Sequence, residues 1–148
     1  MTGRSATAAG PALAFFADRS LGSFVVPGAL RAAGWTVETM DERYGPDKSP
    51  AIKDVQWIED AAGHGDVILC KDLRIASNPL EAAAVHRTSA RAFGLARRDV
   101  DGPTMISYFL SHQQQIFHMA TRAEGPYVVS ISQNGLRRVR LNLASPTG

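Results

Sequence analysis

Four consecutive apolar residues, Val67-Ile68-Leu69-Cys70, held between Asp66 and Lys71-Asp72, do most to narrow what this chain can fold into. A short apolar run without polar alternation is the pattern of a strand buried on both faces, and such strands occur in parallel sheets covered by helices on each side. Ala12-Leu13-Ala14-Phe15-Phe16-Ala17 repeats the pattern and runs into Asp18. In open α/β sheets, ligands bind in the crevice beyond the carboxyl ends of the strands. Asp18 and Asp72 therefore stand at one rim, and a metal-dependent site is the working expectation.

The remaining segments fit helices between such strands. Ser23 can cap a helix over about 23–33, with Pro27 tolerated because N–H groups of the first turn lack intrahelical partners, and Gly34 sits where a helix commonly ends. Residues 35–40 read as strand two. Residues 41–50 hold Gly45-Pro46, Pro50 and several charges, and read as a loop overhanging the rim. A helix from Ala51 or Asp54 to Ala62 puts Asp54, Ile58 and Ala61 on one face beside Trp57, so Asp54 points inward near the helix start. Strand three covers 67–71. Pro79 opens a short helix, 93–96 is a weak fourth strand, and Asp101 caps one long amphipathic helix over 103–122. Asn134-Gly135 between the runs 127–131 and 136–143 signals a hairpin. The β-α-β-α-β opening predicts a three-layer α/β domain with a central, mainly parallel sheet and a C-terminal β-hairpin.

At 148 residues, 45% of them hydrophobic, the chain supports one compact core rather than two. The expected organisation is an N-terminal tail over 1–11, a single domain over 12–145 and a short tail over 146–148. The first eleven residues lack the continuous apolar core of a signal peptide, and no stretch approaches the roughly 18 apolar residues of a membrane span. A cytoplasmic protein with no membrane partner is expected. A formal charge of +2 permits a nucleic-acid partner without arguing for one. Cys70 is the only cysteine, which rules out an internal disulfide and leaves it as a small core hydrophobe.

Asp18, Asp54 and Asp72 form the constellation that can carry chemistry. Carboxylates converging in a crevice repel one another unless a cation neutralises them. Mg²⁺ and Mn²⁺ favour oxygen ligands, and such a cluster suits phosphodiester hydrolysis. Each acid also has an ordinary structural role open to it: Asp18 can start a turn, Asp54 can cap a helix, and Asp72 can pair with Lys71 or Arg74.

Phe15-Phe16-Ala17-Asp18-Arg19-Ser20-Leu21-Gly22, Leu30-Arg31-Ala32-Ala33-Gly34-Trp35, Asp54-Val55-Gln56-Trp57-Ile58 and Ile68-Leu69-Cys70-Lys71-Asp72, in that order, resemble a PIN-like domain. More narrowly, the chain is similar to VapC-type toxins of bacterial toxin–antitoxin pairs that carry an F-x-A-D-R-x-L-G opening. The similarity runs over about residues 13–143. It implies a Mg²⁺- or Mn²⁺-dependent endoribonuclease in which Asp18, Asp54 and Asp72 match the metal-binding acids. PIN sites commonly include a fourth acid, for which Asp41 and Glu81 are the candidates. Cys70 stands where relatives often have Thr. The expected mechanism is in-line attack by metal-activated water, with Asp54 helping to orient it and with Arg19, Lys71 and Arg74 contacting substrate phosphates. The implied partners are RNA and a cognate antitoxin, and a homodimer is compatible with them.

Two other readings compete. Receiver domains and aspartyl-phosphate phosphatases also place Asp at strand ends, but the phosphatases want a second Asp two residues after the first, where Ser20 stands. A catalytically inactive PIN-like module that binds protein or RNA is the other, and retention of all three acids argues against it. Arg97 and Arg98 read as solvated, and Arg137-Arg138-Val139-Arg140 reads as a charged edge that blocks aggregation ahead of an RNA-binding stripe. His64, His86, His112 and His118 show no zinc-ligand pattern.

Overall fold

The computed structural model of the chain describes residues 13–143. The expected tails at 1–11 and 146–148 lie outside the described residues, as do residues 12, 144 and 145 of the expected domain. Six strands form one sheet: β1 (Phe15–Ala17), β2 (Val37–Thr39), β3 (Val67–Leu69), β4 (Arg91–Leu95), β5 (Tyr127–Ser132) and β6 (Gly135–Val139). Their spatial order is β2-β1-β3-β4-β5-β6. Every pairing is parallel except β5 with β6, the antiparallel C-terminal hairpin.

Seven α-helices among the described residues complete the fold: α1 (Val25–Ala32), α2 (Met40–Tyr44), α3 (Asp54–Gly63), α4 (Arg74–Ser77), α5 (Pro79–Thr88), α6 (Gly102–Ser111) and α7 (Gln113–Arg122). Alternate strand residues face opposite helical layers, as the two-residue strand period requires. Phe15, Leu69, Phe93 and Val129 pack with Leu30 of α1, Phe109 of α6 and Ile116 of α7. Phe16, Ile68, Ala92 and Val128 pack on the other side with Trp57 and Ile58 of α3, Ile75 of α4 and Val85 of α5. Strands sandwiched in this way have no solvated face, which is why β3 reads as an unbroken apolar run.

Four expectations need correction. Residues 41–50 are not a free loop, because strand β2 passes directly into α2 through a capping box. Thr39 Oγ1 accepts the Glu42 N–H at 3.2 Å, and Glu42 accepts the Thr39 N–H at 2.9 Å. Ser23 caps nothing: its hydroxyl donates to Asp41 at 2.9 Å, and α1 starts two residues later. The single helix expected over 103–122 breaks at His112, whose ring packs against the Tyr108 carbonyl at 2.9 Å. A straight 20-residue helix would span about 30 Å, whereas strands this short span roughly 10–20 Å. The break lets Phe109 and Ile116 both reach the sheet. Finally, the hairpin turn is Gln133-Asn134, with Gly135 already paired to Ser132 as the first residue of β6. The helix end at Gly34 is as expected, with φ of 101° just beyond the last turn.

One polar cluster is mostly buried, with Arg43 and Asp66 inside and Glu38 partly in solvent. Arg43 of α2 donates to Glu38 and to Asp66, each at 2.6 Å, with its guanidinium 4.4 Å from the centre of the Phe16 ring. Among the described residues, no helix is long and apolar enough to cross a membrane.

Candidate active site

Because β2 lies on one side of β1 and β3 on the other, the chain reverses its direction of travel across the sheet between β1 and β3. That switch opens a crevice at the strands' carboxyl ends. Asp18 follows β1 directly, and its N–H donates to the Leu69 carbonyl of β3 at 3.0 Å, so it is locked across the crevice from the segment that carries Asp72. Its carboxylate accepts the Ser20 N–H, which starts the tight turn Arg19–Leu21. Asp54 is the first residue of α3 and accepts the indole N–H of buried Trp57 at 2.9 Å. Asp72 accepts the Arg74 N–H at 2.9 Å and so opens α4.

Gly94 of β4 lies beneath this last turn. A Cβ at that position would overlap the Asp72 carbonyl oxygen and come within 3.1 Å of the Leu73 side chain, so only glycine lets the segment settle on the sheet. Glu81, in the first turn of α5, is only 7% exposed. Asn78 caps that turn, accepting the Leu80 and Glu81 N–H groups at 3.0 and 3.1 Å.

Asp18, Asp54, Asp72 and Glu81 line one cavity of about 250 Å³, together with Arg19, Ser20, Cys70, Arg74 and Ile75. Burial pushes the Asp18 carboxyl up, outweighing the lowering effect of its bonds to Ser20, and nearby Asp54 pushes the same way. Burial, then the Asp54, Asp18 and Asp72 charges, raises Glu81 to about 7 against the opposing pull of Arg74. Burial also holds the Cys70 thiol well above its ordinary value, with Asp18 alongside adding to the effect.

The other sequence candidates fall elsewhere or are engaged. Asp41 is outside the cavity, bracketed by the hydroxyls of Ser23 and Ser49, which lower its pKa. The Arg19 guanidinium donates to the Ser49 and Ile52 carbonyls at 3.2 and 2.6 Å and stands 3.7 Å from Asp54, so it straps the 45–52 segment to the cavity wall. Lys71 gives its backbone N–H to Ser20 Oγ at 3.1 Å, and its side chain does not line the cavity. Arg74 lines both this cavity and a neighbouring one of about 410 Å³ that includes Arg98. Arg98, exposed as expected, lines that second cavity from just past the end of β4.

The donor set suits a hard divalent cation, because four carboxylates share one cavity and two of them are raised in pKa by crowding and burial. In the geometry present, no three His, Cys, Asp or Glu side chains among the described residues stand close enough to hold an ion. Asp18, Asp54 and Asp72 each accept a local N–H through one carboxylate oxygen. A larger cavity, about 790 Å³ between α4 and residues 139–143, includes no acid and one arginine, Arg140.

The family model of the PIN-like domain matches residues 13–97, which contain all four cavity acids. The chain is also 33% identical over 124 residues to a protein of Mycobacterium tuberculosis named as a candidate ribonuclease, VapC45, covering 84% of this chain and 89% of the relative. No solved structure matches significantly.

Proposed function

Since this chain belongs to the PIN-like domain family, as a protein of VapC type, we propose that it is a Mg²⁺- or Mn²⁺-dependent endoribonuclease and the toxin of a toxin–antitoxin pair. The observation that carries this reading is that Asp18, Asp54, Asp72 and Glu81 line one cavity at the sheet's switch point. These four side chains would hold the metal, with Glu81 rather than Asp41 as the fourth. When bound, the metal supplies a nucleophilic water of lowered pKa and polarises the scissile phosphate.

The chain's own groups do the rest. Trp57 fixes Asp54 through its indole N–H, so that one carboxylate oxygen has a defined direction for orienting a water. Arg74, at the cavity wall, balances the charge of a substrate phosphate. Arg19 keeps the 45–52 wall in place. RNA in the cytoplasm is the substrate, an antitoxin is the partner that would occlude the crevice, and self-association is compatible with both.

RNA cleavage measured with and without Mn²⁺, for the parent protein and for Asp18→Asn and Asp72→Asn, tests the reading. Metal-dependent cleavage lost in both variants is expected; cleavage retained in both would end it. A second reading, an inactive PIN-like module that binds RNA or protein, draws on one observation. The carboxylates are engaged by local donors rather than converged. RNA binding without cleavage at any Mn²⁺ concentration would favour that alternative.

A further inference from the structure

Most arginines of the described residues are spent on the fold. Arg31 and Arg87 pair with Glu42 and Glu59, and Arg43 with Glu38 and Asp66. Arg91 donates to the Ala120 and Gly65 carbonyls, and Arg138 covers the Tyr127 ring at 5.0 Å. Arg97 stands 3.7 Å from Asp99. Arg74, Arg98, Arg122, Arg137 and Arg140 are left, none with a carboxylate within 4.0 Å among the described residues.

Three of these, Arg74, Arg98 and Arg137, line cavities that share residues. Asp72 and Arg74 line both the acidic cavity and the adjoining cavity of about 410 Å³, whose far wall holds Arg98 and Ala96. Ala96 in turn lines a third cavity of about 390 Å³, with Ser130, Ser132, Asn134 and Arg137. The register of the hairpin sets Arg137 directly opposite Ser130, so its place at the end of β5 follows from strand pairing rather than from a flexible loop. The result is a run of three cavities that share lining residues, from the four acids past the carboxyl ends of β3, β4 and β5, each with an arginine in its wall.

From this we infer that the run of cavities is the track for one flank of a single-stranded RNA, with Arg74, Arg98 and Arg137 taking successive backbone phosphates and the Ser130, Ser132 and Asn134 side chains facing sugars or bases. The inference rests on the ribonuclease reading only for where the strand is cut; the track itself is a statement about binding. A row of separated cations matches a polymer with a phosphate at every step better than a compact anion. Contacts of this kind position a strand without reading its sequence.

The test is fluorescence anisotropy of a labelled single-stranded oligoribonucleotide in EDTA, across a salt series, with cleavage in Mn²⁺ measured in parallel. Arg98→Ala and Arg137→Ala are each expected to weaken binding by about fivefold and to lower the salt slope by about 0.7. Arg122→Ala, at the end of α7 and in the wall of none of these cavities, is expected to change neither. Binding and slope unchanged in the Arg98→Ala/Arg137→Ala double variant would overturn the track, even if the parent protein cleaves RNA. Binding weakened as stated, in a parent protein that cleaves nothing, would uphold the track and defeat the nuclease reading. Failure of the parent protein to bind RNA would overturn the track. So would loss of a co-purifying protein partner with RNA affinity intact, because the cavities would then belong to a protein.

Discussion

Glu81 receives the charge crowding of the cavity most directly. It is buried, three other carboxylates bear on it, and Arg74 is the single opposing charge among the causes of its shift. Removing that charge relieves repulsion in the metal-free protein, while removing an oxygen donor weakens any cation bound there. Glu81→Gln is therefore expected to raise the melting temperature in EDTA and to shrink the rise produced by Mn²⁺, both read by thermal denaturation. Glu42 shows the opposite behaviour. Its hydrogen bond from Arg31 is the largest influence and lowers its pKa below the ordinary 4.5. A lowered carboxyl pKa contributes stability that is present above 4.5 and lost as pH falls through the folded value. Glu42 is nearly half exposed, so the contribution is small, under about 1 kcal/mol. Glu42→Gln is expected to cost that much near neutral pH in urea titrations and nothing once the carboxyl is protonated in the folded protein.

Between residue and fold stands the packing of single elements, where Gly94 decides how the turn after β3 lies on β4. Gly94→Ala forces the Asp72 carbonyl and the Leu73 side chain to shift, at an expected cost of about 1–3 kcal/mol in urea denaturation and with loss of RNA cleavage. Gly28→Ala, inside α1 with open space around it, is the contrast and is expected to stabilise by up to about 1 kcal/mol. The same scale explains what could be read from the chain in advance. Asp18 and Asp72 were legible because buried strands announce themselves as apolar runs and their ends mark the rim. Asp54 was legible from helical spacing against Trp57 and Ile58. Glu81 and Asp41 could not be separated, since one-dimensional distance says nothing of which acid a serine pair captures. Thr39 and Glu42 carried a capping-box spacing that the prolines of 41–50 outweighed. The break at His112 depends on the length of the sheet, a property of no single segment.

At the scale of the whole molecule, the four acids come from three separate helix–strand units, so a cation held among them would tie those units together. Anything that binds the folded chain and not the unfolded one stabilises it by mass action, about 2.7 kcal/mol at a hundredfold excess over Kd. Mn²⁺ is expected to raise the melting temperature saturably, and Asp18→Asn/Asp72→Asn to abolish the rise. A flat titration of the parent protein would leave the cavity as a charged crevice without a metal role. Strand order has a further effect during synthesis. The support beneath Asp72 is β4, whose outer edge pairs only with β5, and β5 is made after two more helices have left the ribosome. A nascent chain that already carries every acid still has an open-edged sheet behind them. The hairpin at the end of the fold closes that edge last.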